Sequence, residues 1–172
     1  MKAHLIIGNW QNLKIEHKAS IIMLTHEQQK ITKQLKQLKI VPVVSLPTVE
    51  SGLALADILS ECKLPVIEIT FRTPCAVDAM LAIKKRHPDL LLLAGTVLHP
   101  EQVESAISSG ASVIVSPGFT SKLAEYCKSK NILFCPGVCT PSEVQQAVEA
   151  DLNLLKFFPS ELAGGTKMLS LF

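Results

Sequence analysis

Leu64-Pro65-Val66-Ile67-Glu68-Ile69-Thr70-Phe71-Arg72-Thr73-Pro74 contains one complete structural sentence. A run of apolar and β-branched residues reads as a strand, and Thr73 before Pro74 reads as a helix start, with a capping hydroxyl ahead of a proline at the first helical position. Strand alternation puts Glu68 and Thr70 on one face, with Arg72 just beyond the end, and Ile67 and Ile69 on the other face. The strand is apolar on both sides at its start and polar on one side at its finish. Such a strand belongs to a sheet covered on both faces, with its carboxyl end opening onto something wet.

The same sentence recurs along the chain. Strand-like runs occur at Ile40 to Leu46, Leu64 to Thr70, Leu90 to Ala94, Ser112 to Val115, Ile132 to Cys135 and Leu152 to Phe157. Helical stripes lie between them: Val49, Leu53 and Ala56; Val103, Ala106 and Ile107; Leu123, Ala124 and Cys127. Thr140-Pro141 repeats the threonine–proline start, and Thr140 with Glu143 forms a capping box. Ahead of the first strand, Thr25 and Gln28 cap another helix, whose Ile31, Leu35 and Leu38 share a face suited to plugging the bottom of a barrel. About six βα units follow. Such units close into a barrel or open into a doubly wound sheet. The absence of GxGxxG after the first strand lowers the dinucleotide-binding sheet, but periodicity alone leaves both architectures open.

Composition narrows the function. The chain has 172 residues, 48% hydrophobic and 19% charged, with a net charge of +2. That suits one well-buried domain and gives no electrostatic reason to expect nucleic acid or a membrane as partner. Lys30, Lys33, Lys36 and Lys39 read as the solvated face of the first helix. The five cysteines form no CxxC and have no nearby histidines, which argues against metal and for reduced thiols in a cytoplasm.

Two positions carry chemistry. Glu68 needs a partner if buried: either an ion pair with Arg72, or a catalytic role at the rim of a barrel. Lys156 ends an apolar strand and precedes Phe157-Phe158-Pro159. Desolvation there disfavours the ammonium and makes a neutral amine available, as a Schiff-base lysine requires; the alternative is a lysine that snorkels past the phenylalanines to water. Gly95-Thr96-Val97 and Ser116-Pro117-Gly118 follow strands on the same rim. They read either as ordinary turns or as close backbone approaches to a ligand.

In order and spacing, Glu68-Ile69-Thr70-Phe71-Arg72-Thr73, Gly95-Thr96-Val97-Leu98, Ser116-Pro117-Gly118, Pro136-Gly137-Val138 and Lys156-Phe157-Phe158-Pro159-Ser160-Glu161 with Gly164-Gly165 resemble the bacterial bifunctional 2-keto-3-deoxy-6-phosphogluconate (KDPG) / 4-hydroxy-2-oxoglutarate (KHG) aldolases. The resemblance runs from about Thr25 to Phe172. It implies a (β/α)8 TIM-type barrel, usually a homotrimer, that acts on a small 2-keto acid without metal or cofactor in the Entner-Doudoroff pathway. It implies Lys156 as the Schiff-base nucleophile and Glu68 as general base and acid. Arg72 and Thr96 are implied as the holders of the pyruvyl carboxylate, and Pro117 and Phe158 as an apolar wall. A sugar-phosphate epimerase barrel is the weaker match, because it does not account for Lys156-Phe157-Phe158-Pro159.

The family pattern continues into a seventh and an eighth strand whose loops hold the substrate phosphate. Residues 25–172 are therefore expected to form an incomplete barrel domain with open edges at its first and sixth strands. It is expected to be inactive, or nearly so, on the phosphorylated substrate, with a non-enzymatic fragment as the alternative. Residues 1–24 fit no βα pattern, and Met23 stands where the family pattern begins.

Overall fold

In the computed structural model, residues 4–6 and 24–171 are described; Met23 and most of the segment before it lie outside them. The elements, in order, are β1 (His4–Ile6), α1 (His26–Leu38), β2 (Val43–Val44), α2 (Val49–Glu61), β3 (Val66–Thr70), α3 (Ala76–Arg86), β4 (Leu91–Gly95) and α4 (Pro100–Ser108). There follow β5 (Val113–Val115), α5 (Ser121–Ser129), β6 (Leu133–Cys135), β7 (Gly137–Val138), α6 (Pro141–Glu149), β8 (Leu155–Phe157) and α7 (Gly165–Leu169).

Strands β2 to β6 pair in parallel and in sequence order, and β7 pairs in parallel with β8. The interruption between β6 and β7 falls at Pro136, which has no N–H to give to a ladder. Its carbonyl still accepts from Lys156 N at 2.9 Å, so the course of parallel strands carries on through the bend to β8. The result is the alternating α/β architecture of a TIM-type barrel wall.

Strands β3 to β8 bury both faces, whereas Val43 of β2 is exposed. Ile67, Ile69, Leu92, Ala94, Ile114 and Phe134 pack outward against the helices. Val66, Leu91, Leu93, Val113, Val115, Leu133 and Cys135 pack inward around Leu35 of α1. Helix α1 therefore plugs the inner face from below, while Lys30, Lys33, Lys36 and Lys39 stay exposed. The capping boxes at Thr25/Gln28 and Thr140/Glu143 both form, and the three apolar helix stripes point into the outer core.

Some local expectations are corrected. Thr73-Pro74 does not start a helix. The Thr73 carbonyl accepts from Ala76 N (3.2 Å), closing a turn, and α3 begins after Cys75 with no side-chain cap. The run Ile40 to Leu46 pairs as a strand only at Val43–Val44, because Pro42 and Pro47 cannot donate. The sixth strand, expected to be an open edge, carries β1 antiparallel on its far side, with Leu5 opposite Lys156.

Helices α2 and α3 are tied by a polar clasp. His87 Nε2 meets Asp57 Oδ1 at 2.7 Å, Ser60 Oγ meets His87 Nδ1 at 3.3 Å, and Arg86 donates to Asp57 Oδ2 at 3.0 Å. The His87 hydrogen bond first, and then the Arg86 charge, hold the Asp57 carboxyl below the usual carboxylate range. A carboxyl lowered by folding stabilises the fold above its unfolded value of about 4, and that contribution disappears as pH falls through the folded value. Asp57→Asn is therefore expected to lower stability at neutral pH, with the gap from the parent protein closing in acid. Urea titrations at neutral and acidic pH read it, and a gap independent of pH overturns the assignment.

Candidate active site

The carboxyl ends of the parallel strands carry every residue singled out from the sequence. Strand β3 presents Glu68 and Thr70 on its inner face, and Arg72 follows in the turn. Thr96 follows β4, Pro117 follows β5, Lys156 lies in β8 and Phe158 follows it. A cavity of about 200 Å³ brings together Glu68, Arg72, Thr96, Pro117, Lys156 and Phe158. Its remaining wall is Val43, Val44, Ser45 and Thr70.

At its base, Lys156 Nζ donates to Glu68 Oε1 at 2.8 Å across 88 positions of sequence. Both side chains are more than nine-tenths buried. Glu68 thus finds its partner in Lys156 rather than in Arg72. The Lys156 ammonium also sits 5.4 Å from the centre of the Phe158 ring, within cation–π range, so the phenylalanine shields the lysine instead of letting it reach water. Amine and carboxylate share a hydrogen bond out of bulk solvent, the arrangement that lets a proton pass between them directly.

Arg72 and Thr96 form the second polar group. Arg72 Nε donates to Thr96 Oγ1 at 3.4 Å, a long bond that leaves the rest of the guanidinium to other acceptors. Thr96 holds φ at 60°, the left-handed region that a β-branched residue rarely adopts. Backbone strain of this kind costs about 1–3 kcal/mol and collects at functional sites. Here it accompanies a hydroxyl turned toward Arg72, while Val97 N rejoins the sheet by donating to Val115 O at 3.1 Å.

Two glycines make the geometry possible. A Cβ on Gly95 would lie 2.3 Å from Glu68 Oε1, and one on Gly137 would lie 2.1 Å from the Pro117 carbonyl oxygen. Gly95 therefore makes room for the carboxylate, and Gly137 lets β7 pass close to the Ser116–Gly118 loop. Cys135, buried on β6, has its thiol pushed well up by burial and then by the Glu68 charge, which leaves it protonated and inert.

Sequence reasoning missed Val43, Val44 and Ser45. Their signal is register: Val43 pairs with Glu68, so the residue two beyond Val43 continues the same inward face beside Thr70.

A family model described as KDPG and KHG aldolase matches residues 31–172. The chain is 42% identical over 146 residues to a 2-dehydro-3-deoxy-phosphogluconate aldolase of Haemophilus influenzae, covering 85% of this chain and 69% of that protein. It is 38% identical over 130 residues to a KHG/KDPG aldolase of Escherichia coli, covering 76% and 61%. Among solved structures, a KDPG aldolase of Legionella pneumophila with pyruvate captured as a covalent carbinolamine superposes with a TM-score of 0.71 at 34% identity, covering 76% of this chain and 64% of that one. The chain spans about two thirds or less of the length of these relatives.

Gly95→Ala is expected to force the Glu68 carboxylate away from Lys156 and to cost about 1–3 kcal/mol, as overpacking of a filled interior does. Chemical denaturation measures the loss. A neutral substitution shows that the carboxylate has free space to move into.

Proposed function

Because the chain belongs to the family of KDPG and KHG aldolases, we propose that it is a class I aldolase that cleaves a 4-hydroxy-2-keto acid to pyruvate and an aldehyde. The observation that carries the proposal is the buried 2.8 Å contact between Lys156 Nζ and Glu68 Oε1, at the base of a cavity that Arg72 and Thr96 also line. The substrate proposed for this chain is 4-hydroxy-2-oxoglutarate, giving pyruvate and glyoxylate, which needs no phosphate site; 2-keto-3-deoxy-6-phosphogluconate, giving pyruvate and glyceraldehyde 3-phosphate, is proposed for a protein in which the seventh and eighth strands of the family pattern accompany this domain. The double name of the Escherichia coli relative supports the first.

In this reading Glu68 takes a proton from Lys156, and the free amine adds to the keto carbon. Glu68 then gives that proton to the carbinolamine hydroxyl, which leaves as water, so that an iminium remains and Glu68 is a carboxylate again. The C4 hydroxyl then gives its proton to Glu68, the C3–C4 bond breaks, and its electron pair passes into the iminium to form an enamine. The aldehyde departs, Glu68 returns a proton to C3, and water releases pyruvate from the lysine. Arg72, with Thr96 beside it, meets the pyruvyl carboxylate, since a guanidinium offers donors to both of its oxygens. Pro117 and Phe158 keep the amine away from water.

The same proposal makes residues 25–172 one aldolase-type domain and places the protein as a cytoplasmic homotrimer in Entner-Doudoroff metabolism. The match over residues 31–172 and the five free cysteines support it, and the trimer follows the family resemblance. No helix among the described residues is long and apolar enough to cross a membrane.

Pyruvate with borohydride is expected to add a three-carbon adduct to Lys156, detected by peptide mass, and Lys156→Ala to abolish it. Adduct spread evenly over surface lysines removes the assignment. Glu68→Gln is expected to retain trapping but to exchange pyruvate methyl protons about 10²–10⁴ more slowly, the range of general-base catalysis. A smaller loss reduces Glu68 to an ion-pair partner.

A further inference from the structure

One polar group in the cavity has no part in the chemistry above. Ser45 Oγ and Thr70 Oγ1 lie 2.7 Å apart and hydrogen-bond to each other, and both line the cavity. Thr70 is 6% exposed. Two hydroxyls bring two protons, and one bond between them uses only one. Among the described residues neither side chain has another hydrogen-bond partner. The pair therefore holds one unspent donor on the cavity wall, where the buried Thr70 meets the more exposed Ser45, and an oxygen of a bound molecule can accept it.

Register fixes where that oxygen lies. Val43 of β2 pairs with Glu68 of β3. Ser45 and Thr70 lie two residues further along their strands, on the same inward face and one step nearer the carboxyl-end rim, a rise of about 6–7 Å. Arg72 meets Thr96 beyond β4, on the other flank of β3. The two polar groups thus bracket Glu68, one toward β2 and one toward β4.

With Arg72 and Thr96 assigned to the substrate carboxylate, the β2 flank, lined by Val43, Val44 and Ser45, is left as cavity wall for the remaining carbons. We infer that Ser45 and Thr70 recognise a hydroxyl oxygen on the aldehyde-derived half of a 4-hydroxy-2-keto acid, and so determine specificity for hydroxylated substrates over pyruvate. The pair donates a hydrogen bond and transfers no proton; the C4 proton still goes to Glu68. The inference rests on the aldolase reading and adds to it a division of labour: one flank binds what every substrate shares with pyruvate, and the other reads what distinguishes them.

The test compares two reactions of the full chain. Cleavage of 4-hydroxy-2-oxoglutarate needs both halves of the substrate, and exchange of pyruvate methyl protons needs only the pyruvyl half. Ser45→Ala and Thr70→Val are expected to lower kcat/KM for cleavage about tenfold relative to exchange, the scale of one lost hydrogen bond. Thr70→Ser, which keeps the hydroxyl, is expected to hold the parent ratio. Thermal melts confirm that each variant folds. Equal losses in both reactions overturn the inference by making the pair a support for the whole site. Unchanged cleavage overturns it too, as does a parent chain that traps pyruvate on Lys156 but leaves 4-hydroxy-2-oxoglutarate intact. A parent chain that fails to trap pyruvate at all removes the aldolase reading itself, a result distinguishable from the other three.

Discussion

A lysine and a glutamate, buried together and joined by one hydrogen bond, tie β8 to β3 across the inside of the sheet. Taking two charges out of water is costly, and their mutual attraction repays it only when the geometry is good. Removing one partner from such a pair typically costs about 3–5 kcal/mol, because the other is left unpaired. Much of the surrounding architecture serves that geometry. Phe158 lies against the ammonium, Gly95 clears the space that the carboxylate fills, and the Pro136 carbonyl holds Lys156 N where the chain bends.

The inner face of the sheet therefore has two characters. Toward the amino ends of the strands it is dry, filled by Val66, Leu91, Leu93, Val113 and Val115 around Leu35. Toward the carboxyl ends it turns polar, with Glu68, Thr70 and Lys156. Because α1 packs against the dry end, the ionisable groups lie at the opposite, carboxyl end of the strands. The strain at Thr96 fits the same division. The backbone leaves its comfortable region at the polar rim, where a hydroxyl meets a guanidinium, and not in the packed wall below.

Most of this was legible in the chain. Strands apolar on both faces announced a covered parallel sheet, and the alternation within Val66 to Thr70 put Glu68 and Thr70 on the side that proves to face the cavity. What stayed hidden depends on neighbours distant in sequence. No local pattern chooses between Arg72, four residues away, and Lys156, 88 away, as the partner of Glu68. Ser45 reads as the ordinary end of a strand until pairing places it beside Thr70. Thr73-Pro74 carried a sound local signal for a helix start, yet the turn that presents Arg72 delays the helix to Ala76. The strand His4–Ile6 lies in a stretch with no βα rhythm, and its place depends on the backbone edge that β8 offers.

Gly95 and Glu68 compete for one volume. A Cβ at position 95 and the carboxylate from position 68 cannot both occupy it, since they would stand 2.3 Å apart. The two positions therefore form a single heritable unit. That Cβ would also stand 2.9 Å from Glu68 Cγ and 3.0 Å from its Cδ, so the whole outer half of the side chain, and not its oxygen alone, depends on the missing Cβ. In this geometry the buried amine–carboxylate contact requires glycine at 95. A side chain at position 95, far easier to notice in a sequence than a moved carboxylate, therefore signals that the carboxylate cannot stand where it does here.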